Sequence, residues 1–172
     1  MGTLSLATHA EQTTMTVVEG FRALYERHSE TVYLTALRVT GNPADAEDAM
    51  QTVFMRVLNQ GESLAADSTP KSYFKRAATN ASVDILRRRT SRNEAPLDEG
   101  LGRASPESPA VVKEQLRQAI GQLDPRDAEL FVLRFVEGMS NGELAELYGV
   151  EKPSIAMRLH RIRQQLQKEM DR

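Results

Sequence analysis

Apolar positions recur at spacings of three and four along most of this sequence, most clearly near its C-terminal end. With successive residues placed about 100° apart around a helix axis, one narrow stripe collects the apolar residues Ile155, Leu159, Ile162 and Leu166. Polar and basic residues occupy the other sides, including His160 and Arg163. The pattern predicts a helix that buries one stripe in a core. Its outer face is typical of a helix that meets a polyanion.

A second, shorter helix is predicted immediately before this one. Ser140 followed by Glu143 is a capping box, in which each side chain satisfies a backbone donor at the start of a helix. Gly149 can adopt the positive φ that a tight turn between helices requires, and Pro153 suits the first position of the next helix. Together the two helices predict a helix-turn-helix. A plain αα-hairpin in a helical bundle would show the same signals, so both readings stay open at this point.

The first half of the chain predicts helices as well. Apolar spacing indicates one helix over 17–28 and a second from Ser29, ending at Gly41. Asn42 and Pro43 then supply the N-cap and first residue of a third helix. Its predicted core face is Ala46, Ala49, Met50, Val53, Phe54 and Val57.

The opposite side of this third helix carries a ridge of mixed chemistry. Its members recur three and four residues apart, and they are Asp48, Gln51, Thr52 and Met55. A methionine among acidic and amide side chains favours a protein-contact surface, because a purely solvated face would more often carry charge. A solvated face remains the alternative.

A fourth helix is predicted from Pro70 to about Arg89, after a polar loop. It should bury Phe74, Ala77, Ala78, Ala81 and Ile85, and present a ridge of Arg76, Asn80, Val83, Asp84 and Arg87 with Tyr73 alongside. An asparagine offers a donor and an acceptor at once, and an aromatic ring beside basic residues can support an unstacked base. The alternative is that Asn80 and Asp84 only tie the helix to its neighbours.

Beyond this helix the composition changes to proline, glycine, serine and acidic residues without apolar periodicity, which predicts a linker. Further helices follow, one of them capped by Asp124 and closed by Gly138. We therefore predict an all-α protein of two small helical domains joined by a flexible linker, with the helix-turn-helix in the C-terminal domain. The predicted boundaries are a disordered leader over 1–16, an N-terminal domain over 17–90, a linker over 91–110 and a C-terminal domain over 111–172.

Composition narrows the possible functions of this chain of 172 residues. It contains no cysteine, which excludes disulfides, cysteine-ligated zinc and thiol catalysis and suits the cytoplasm. Charged residues interrupt every apolar stretch, so no membrane insertion is expected. Neither a phosphate-binding loop, a nucleophile elbow nor a cluster of metal ligands is present, so we expect no enzyme activity, metal or cofactor. The net charge of −2 hides two basic segments, near 71–92 and 158–168, which indicate nucleic-acid contacts.

Once both halves are considered together, the chain resembles an extracytoplasmic-function sigma factor, the smallest class of the main bacterial sigma family. The matching segments are FRALYERHSETVYLTALRVTGNPADAEDAMQTVF, YFKRAATNASVDILRRR, LDPRDAELFVLRFVEGMSNGELAELYGV and SIAMRLHRIR, in this order across the acidic linker. The resemblance covers about 21–166. It implies a protein that binds core RNA polymerase and directs promoter recognition, DNA melting and transcription initiation.

The resemblance also implies roles for individual residues. The clamp helices of the largest polymerase subunit would contact Glu47, Asp48, Gln51 and Met55. The minus-ten promoter element would be bound by Tyr73, Arg76, Asn80, Asp84, Arg87 and Arg88. The minus-thirty-five element would be bound by Lys152, Ser154, Met157, Arg158 and Arg161. The loop over 64–69 corresponds to the pocket for a flipped minus-ten base, and 123–136 to the segment that meets the polymerase flap.

Some positions depart from the family pattern. Tyr73 stands where the family usually has tryptophan, and Pro153 where it has glycine. Ala156 and Met157 replace a frequent lysine and serine, which predicts a different promoter preference because Met157 can contact a base only through apolar surface, such as a thymine methyl.

The implied partners are core polymerase, promoter DNA and an anti-sigma factor, with a monomeric free state. The alternative function is a helix-turn-helix regulator that acts as a dimer on palindromic sites without being a polymerase subunit. That alternative explains the C-terminal half equally well. It does not explain the basic residues beside Asn80 or the acidic ridge that includes Met55.

Overall fold

The computed structural model describes residues 3–60, 71–92 and 108–170, and these segments are almost entirely α-helical. In chain order the helices are α1 (Thr3–Thr40), α2 (Pro43–Gln60), α3 (Lys71–Arg92), α4 (Pro109–Gln122), α5 (Pro125–Phe135), α6 (Asn141–Tyr148) and α7 (Lys152–Met170). The all-α prediction is confirmed. None of the helices in the described segments is long and apolar enough to cross a membrane.

Helix α1 corrects one prediction. It continues through Ser29, where the sequence predicted a break between two helices. The helix begins at Thr3, within the residues that the sequence assigned to a leader. The physical reason for the continuity is visible in its buried side: Leu24, His28, Val32 and Ala36 are each buried and lie four residues apart. One stripe thus packs on the same core across Ser29, and the capping tendency of that serine is overridden.

The turn from α1 to α2 is formed as predicted. Gly41 has φ of 67°, and its backbone N–H donates to the Leu37 carbonyl at 2.8 Å. The Asn42 side-chain oxygen then accepts from the backbone N–H of Asp45 at 3.2 Å, which caps α2. These local bonds set the angle at which α2 returns along α1.

Helices α1 to α3 enclose the first hydrophobic core. Phe74 is fully buried at its centre, and the predicted core face of α2 is confirmed except for Met50, which is half-buried. The ring of His28 stacks on Phe74 with centroids 4.0 Å apart. The His28 ring is buried among apolar groups, and this burial lowers the pKa of His28 from its ordinary value.

Helices α4 to α7 form the second unit, which ends in the predicted helix-turn-helix. The capping box is present, with Ser140 N–H donating to the Glu143 carboxylate at 2.8 Å and Glu143 N–H donating to the Ser140 hydroxyl at 3.2 Å. Gly149 has φ of 63° in the turn. The predicted stripe of α7 is buried in full. Helix α7 begins at Lys152, one residue before the predicted start at Pro153.

The two units pack against each other through an apolar seam. Val39 of α1 and both Val83 and Leu86 of α3 belong to the hydrophobic core of the second unit, beside Ile120 and Leu123. Val83 was predicted to lie on the outer ridge of α3, and that prediction is wrong. Periodicity placed Val83 off the first core correctly but could not show that a second unit covers it.

The helices on either side of the predicted linker are longer than the sequence indicated. Helix α3 ends at Arg92, and α4 begins at Pro109, where the Ser108 hydroxyl accepts from the backbone N–H of Val111. Residues 93–107 lie outside the described part of the chain, as does the loop over 64–69 that the sequence analysis assigned to base capture.

Candidate polymerase and nucleic-acid interface

The outer face of α2 carries the residues predicted to contact polymerase. Glu47, Asp48, Gln51 and Met55 are all exposed, and the Met55 side chain is 63% exposed. Thr52, half-buried beside them, donates its hydroxyl to the Asp48 carbonyl at 2.9 Å. The Met55 side chain therefore lies where a protein partner could reach it.

Asp45 at the start of α2 lies inside the fold rather than on this face. Its carboxylate pairs with Arg89 of α3, with Oδ2 2.7 Å from Nη2. Burial raises the pKa of Asp45, and the Arg89 guanidinium partly opposes that rise. The pair ties α2 to the C-terminal part of α3. Arg89 therefore has a structural partner, whereas the neighbouring Arg87 and Arg88 are exposed.

The outer side of α3 presents a polar ridge with excess positive charge. Asn80 is half-buried, and its side chain has no hydrogen-bond partner within the segments that the structure describes. Asp84, one turn later, is exposed and lies 4.0 Å from Arg56 of α2. Arg88 donates through Nε to the Asp84 carbonyl at 3.2 Å. The ridge thus offers an amide with unused hydrogen-bonding capacity next to cations that suit phosphate.

An open cavity of about 670 Å³ lies along this ridge between α2, α3 and α4. Hydroxyl, carboxylate and guanidinium groups line it, from Thr52, Arg56, Asp84, Arg87, Arg88, Thr90 and Ser91. The sequence prediction did not include Arg56, which lies beside the acidic ridge of α2 and next to Thr52. Its position four residues after Thr52 was the signal that could have placed it beside α3.

Tyr73 and Arg76 precede this ridge on α3, and the two have different surroundings. Tyr73 is half-buried, with its ring edge-on to Phe74 at a centroid distance of 5.3 Å. Arg76 is turned toward the second unit, where Nε donates to the Glu129 carboxylate at 2.5 Å and the guanidinium lies 5.2 Å from the Tyr148 ring centroid. The Tyr148 hydroxyl donates to the same carboxylate at 2.8 Å, and burial together with that bond raises its pKa.

The outer face of α7 carries the residues predicted to enter the major groove. Lys152, Ser154, Met157 and Arg161 are exposed, and Met157 is 58% exposed. Arg161 lies over Met157, with Nη2 3.4 Å from the sulfur. Arg158 is half-buried instead, and its Nε donates to the Asp127 carboxylate of α5 at 2.6 Å. Ser154, Met157 and Arg161 therefore lie on one exposed side of α7, Lys152 is exposed at the start of the helix, and Arg158 is anchored to α5.

Comparison with known families accounts for both units. The family model of sigma-70 region 2 matches residues 24–92, and that of sigma-70 region 4 matches residues 113–166. This chain belongs to the extracytoplasmic-function class of sigma factors. The region 2 match begins within α1 and ends with α3, and the region 4 match extends from α4 into α7, so the two helical units are named region 2 and region 4 after these matches. The predicted family is confirmed.

Individual relatives support the same assignment. The chain is 32% identical over 151 residues to the sigma factor SigE of Mycolicibacterium smegmatis, a match that covers 83% of this chain and 58% of that relative. It is 26% identical over 145 residues to SigL of Mycobacterium tuberculosis, covering 81% of this chain and 82% of SigL. The chain thus spans little more than half of the length of SigE.

A solved structure shares the fold. CnrH, determined in complex with the cytosolic domain of CnrY, superposes with a TM-score of 0.53 at 23% identity, covering 94% of each chain.

Within region 4 of the present chain, Phe135 is 45% exposed at the end of α5, between the guanidinium groups of Arg134 and Arg163. This apolar and basic patch lies in the segment predicted to meet the polymerase flap.

Proposed function

We propose that the chain is a sigma factor that binds core RNA polymerase and directs promoter recognition, DNA melting and transcription initiation at a specific set of promoters. The observation that carries the proposal is the presence in one chain of region 2 and region 4, each with its predicted contact side chains largely exposed. Such a protein supplies binding and positioning, and no covalent step is assigned to it. It acts in the cytoplasm, where polymerase and promoter DNA are found.

Polymerase binding is assigned to the outer face of α2. The clamp helices of the largest subunit would contact Glu47, Asp48, Gln51 and Met55, for which exposure on one face is the support. Met55 contributes apolar area to this surface, and the carboxylates select a basic partner. The Phe135 patch provides a second contact, with the polymerase flap.

Promoter opening is assigned to α3. Asn80 would bind a base of the melted strand through its amide, with Tyr73 beside it and Asp84 orienting the neighbouring donors. Unstacking a base costs a few kcal/mol, which capture of that base would offset. Arg87 and Arg88 would bind phosphates, and each phosphate contact adds roughly 0.9 to the slope of log K against log salt on duplex DNA. Arg76 joins this set once its contact with Glu129 is released.

Recognition of the minus-thirty-five element is assigned to the outer face of α7. Lys152 and Arg161 would meet phosphates or guanine edges, and Ser154 and Met157 would face the bases. Arg158 serves chiefly to set the position of α7 through Asp127. We expect Met157 to make apolar contact with a thymine methyl in the recognised sequence.

An anti-sigma factor is a further proposed partner, on the basis of the family resemblance. The apolar residues that such a partner would cover in region 4 include Phe135. In the free state we expect a monomer. The alternative, a dimeric helix-turn-helix regulator, does not account for the region 2 match over residues 24–92.

Transcription from core polymerase tests the proposal directly. Purified chain added to core enzyme should produce specific starts on the promoter of its own operon, where core enzyme alone produces none. A positive control with a housekeeping sigma factor shows that the core is competent. If that control initiates and the chain yields no start on any candidate promoter, nor binds core polymerase, the proposed function is wrong.

A further inference from the structure

Two carboxylates of region 4 are held by cations of region 2. The side chain of Glu137, which follows α5, is completely covered, with Arg38 of α1 on one oxygen and Lys75 of α3 3.2 Å from the other. The Glu129 side chain is 8% exposed and pairs with Arg76 of α3. All three cations lie more than fifty residues from these carboxylates in the chain, so the pairs form only when the units are packed together.

The cost of burying these carboxylates makes the cations necessary. A buried carboxylate that loses its partner is destabilised by several kcal/mol, because it gives up hydration without compensation. The second oxygen of Glu137 accepts no hydrogen bond and is balanced by the Lys75 ammonium alone. When region 4 packs against region 2, its carboxylates therefore occupy Lys75 and Arg76. When the two regions separate, both cations are freed.

The backbones of α3 and α4 also approach closely at Gly121. A methyl group on Gly121 of α4 would lie 2.5 Å from the Thr90 hydroxyl and 3.0 Å from the Leu86 carbonyl of α3. Glycine at this position lets α4 lie directly on α3. Nearby, Arg117 of α4 donates to the carbonyl of Val39 at 3.3 Å, at the end of α1. The interface between the two units therefore combines ion pairs near the start of α3 with a close backbone contact near its end.

We propose that region 4 acts as an intramolecular competitor of promoter DNA, in which Glu129 and Glu137 occupy the cations that DNA phosphates require. The inference rests on the proposed function. Lys75 and Arg76 lie on the helix assigned to promoter opening, so the closed form and full DNA engagement exclude each other. Helix α5, which lies in the segment assigned to the polymerase flap, also packs against α3 in the closed form. Polymerase binding to region 4 would then release the cations for DNA.

The test uses the full chain and two readouts. Because the sequence has no cysteine, single cysteines at Ala44 of α2 and Gln165 of α7, both exposed, permit specific labelling for energy transfer between the units. The second readout is the affinity for a fluorescent single strand carrying the minus-ten element, measured by anisotropy without polymerase. The variant Gly121→Ala wedges α4 away from α3 and removes none of the residues assigned to DNA.

Gly121→Ala should lower energy transfer and tighten binding of the single strand by at least about fivefold, the lower end of usual coupling between sites. The matched control is Gly20→Ala in α1, where an added methyl would have no atom within 4 Å, and both readouts should stay at the wild-type value. Circular dichroism checks that the helices of both variants are retained. If helical content falls in Gly121→Ala, the conservative variant Glu137→Gln carries the same test.

A charge reversal distinguishes the contribution of the ion pairs from that of the packing around Gly121. Lys75→Glu should lower energy transfer by repelling Glu137, but it should not tighten DNA binding, because it also removes a cation assigned to phosphate. Unchanged transfer in Gly121→Ala and Glu137→Gln would overturn the proposal, as would opening of either of these two variants without a gain in affinity. Failure of the proposed function is distinguishable, because then no variant would bind core polymerase or the single strand while the energy-transfer results would stand.

Discussion

Arg158 of α7 donates through Nε to the carboxylate of Asp127 in α5 at 2.6 Å, which joins the helix proposed to recognise the minus-thirty-five element to the helix proposed to meet the polymerase flap. The two side chains are 39% and 28% exposed. A charge-assisted bond of this kind restricts the rotation of α7 about its axis. In the proposed function, the angle at which α7 would meet DNA therefore depends on Asp127, which lies outside the face assigned to DNA.

Removal of this bond should weaken recognition of the minus-thirty-five element without unfolding region 4. We expect Asp127→Asn to lower the free energy of unfolding by about 1 kcal/mol, since the pair is only partly buried. Urea denaturation measures that loss, and transcription from promoters with altered minus-thirty-five elements measures the loss of selectivity. Glu146→Gln on the exposed side of α6 is the matched control and should change neither. Equal effects of the two substitutions would contradict the role of Asp127.

His28 should make stability depend on pH. Its pKa is lowered in the folded protein because the ring is buried against Phe74, so the unfolded state binds the proton more readily. The stabilising difference is present above the unfolded pKa of about 6.5 and is lost as pH falls below it toward the lowered folded value. Chemical denaturation between pH 7 and pH 5 should show this loss in the wild type. It should shrink in His28→Leu and persist in His160→Leu, which changes an exposed side chain.

Met55 should matter for polymerase binding and not for folding. Met55→Ala removes a side chain that is 63% exposed, so the free energy of unfolding should change by less than about 0.5 kcal/mol. Affinity for core polymerase should fall about tenfold, as expected for the loss of an apolar anchor near the centre of an interface. Val112→Ala on α4, an exposed apolar residue outside this surface, is the comparison. An affinity loss as large in Val112→Ala would place the contact elsewhere.

Asn80 should act in opening rather than in initial binding. Asn80→Ala removes the amide assigned to the melted base, so open-complex formation, followed with permanganate, should fall more than closed-complex binding, followed by gel shift at low temperature. Asn59→Ala, which removes an exposed amide at the end of α2, should leave both steps unchanged. An equal loss in both steps for Asn80→Ala would assign Asn80 to general DNA affinity.

Gly149 is required by the backbone of the helix-turn-helix. Its φ of 63° lies in the left-handed region, where a Cβ costs about 1–2 kcal/mol, so Gly149→Ala should destabilise region 4 by about that amount. Gly142→Ala supplies the contrast, because Gly142 lies within α6 and an added methyl would approach no atom more closely than 3.7 Å. That variant should be neutral or slightly stabilising. Thermal denaturation of the two variants side by side decides the point.

Local chemistry determined most of the secondary structure and the family of this chain. The capping box of Ser140, the turn glycines and the buried stripe of α7 all involve residues within a few positions of one another, so periodicity and capping rules predict them. The exposed ridge of α2 followed from the same reasoning. The continuity of α1 could not be predicted in this way. The helix continues through Ser29, a good capping residue, because residues on both sides of it pack into the same core.

Only the tertiary structure decided which side chains meet across the two units. Periodicity places Val83 and Arg76 on a face of α3, yet it contains no information about what covers that face. The partner of Arg76 is Glu129 in α5, and the partner of Lys75 is Glu137 just after α5, both in the other unit. Such pairs depend on the relative placement of two separately folded cores, and that placement is set by the summed packing of the whole seam rather than by any local pattern.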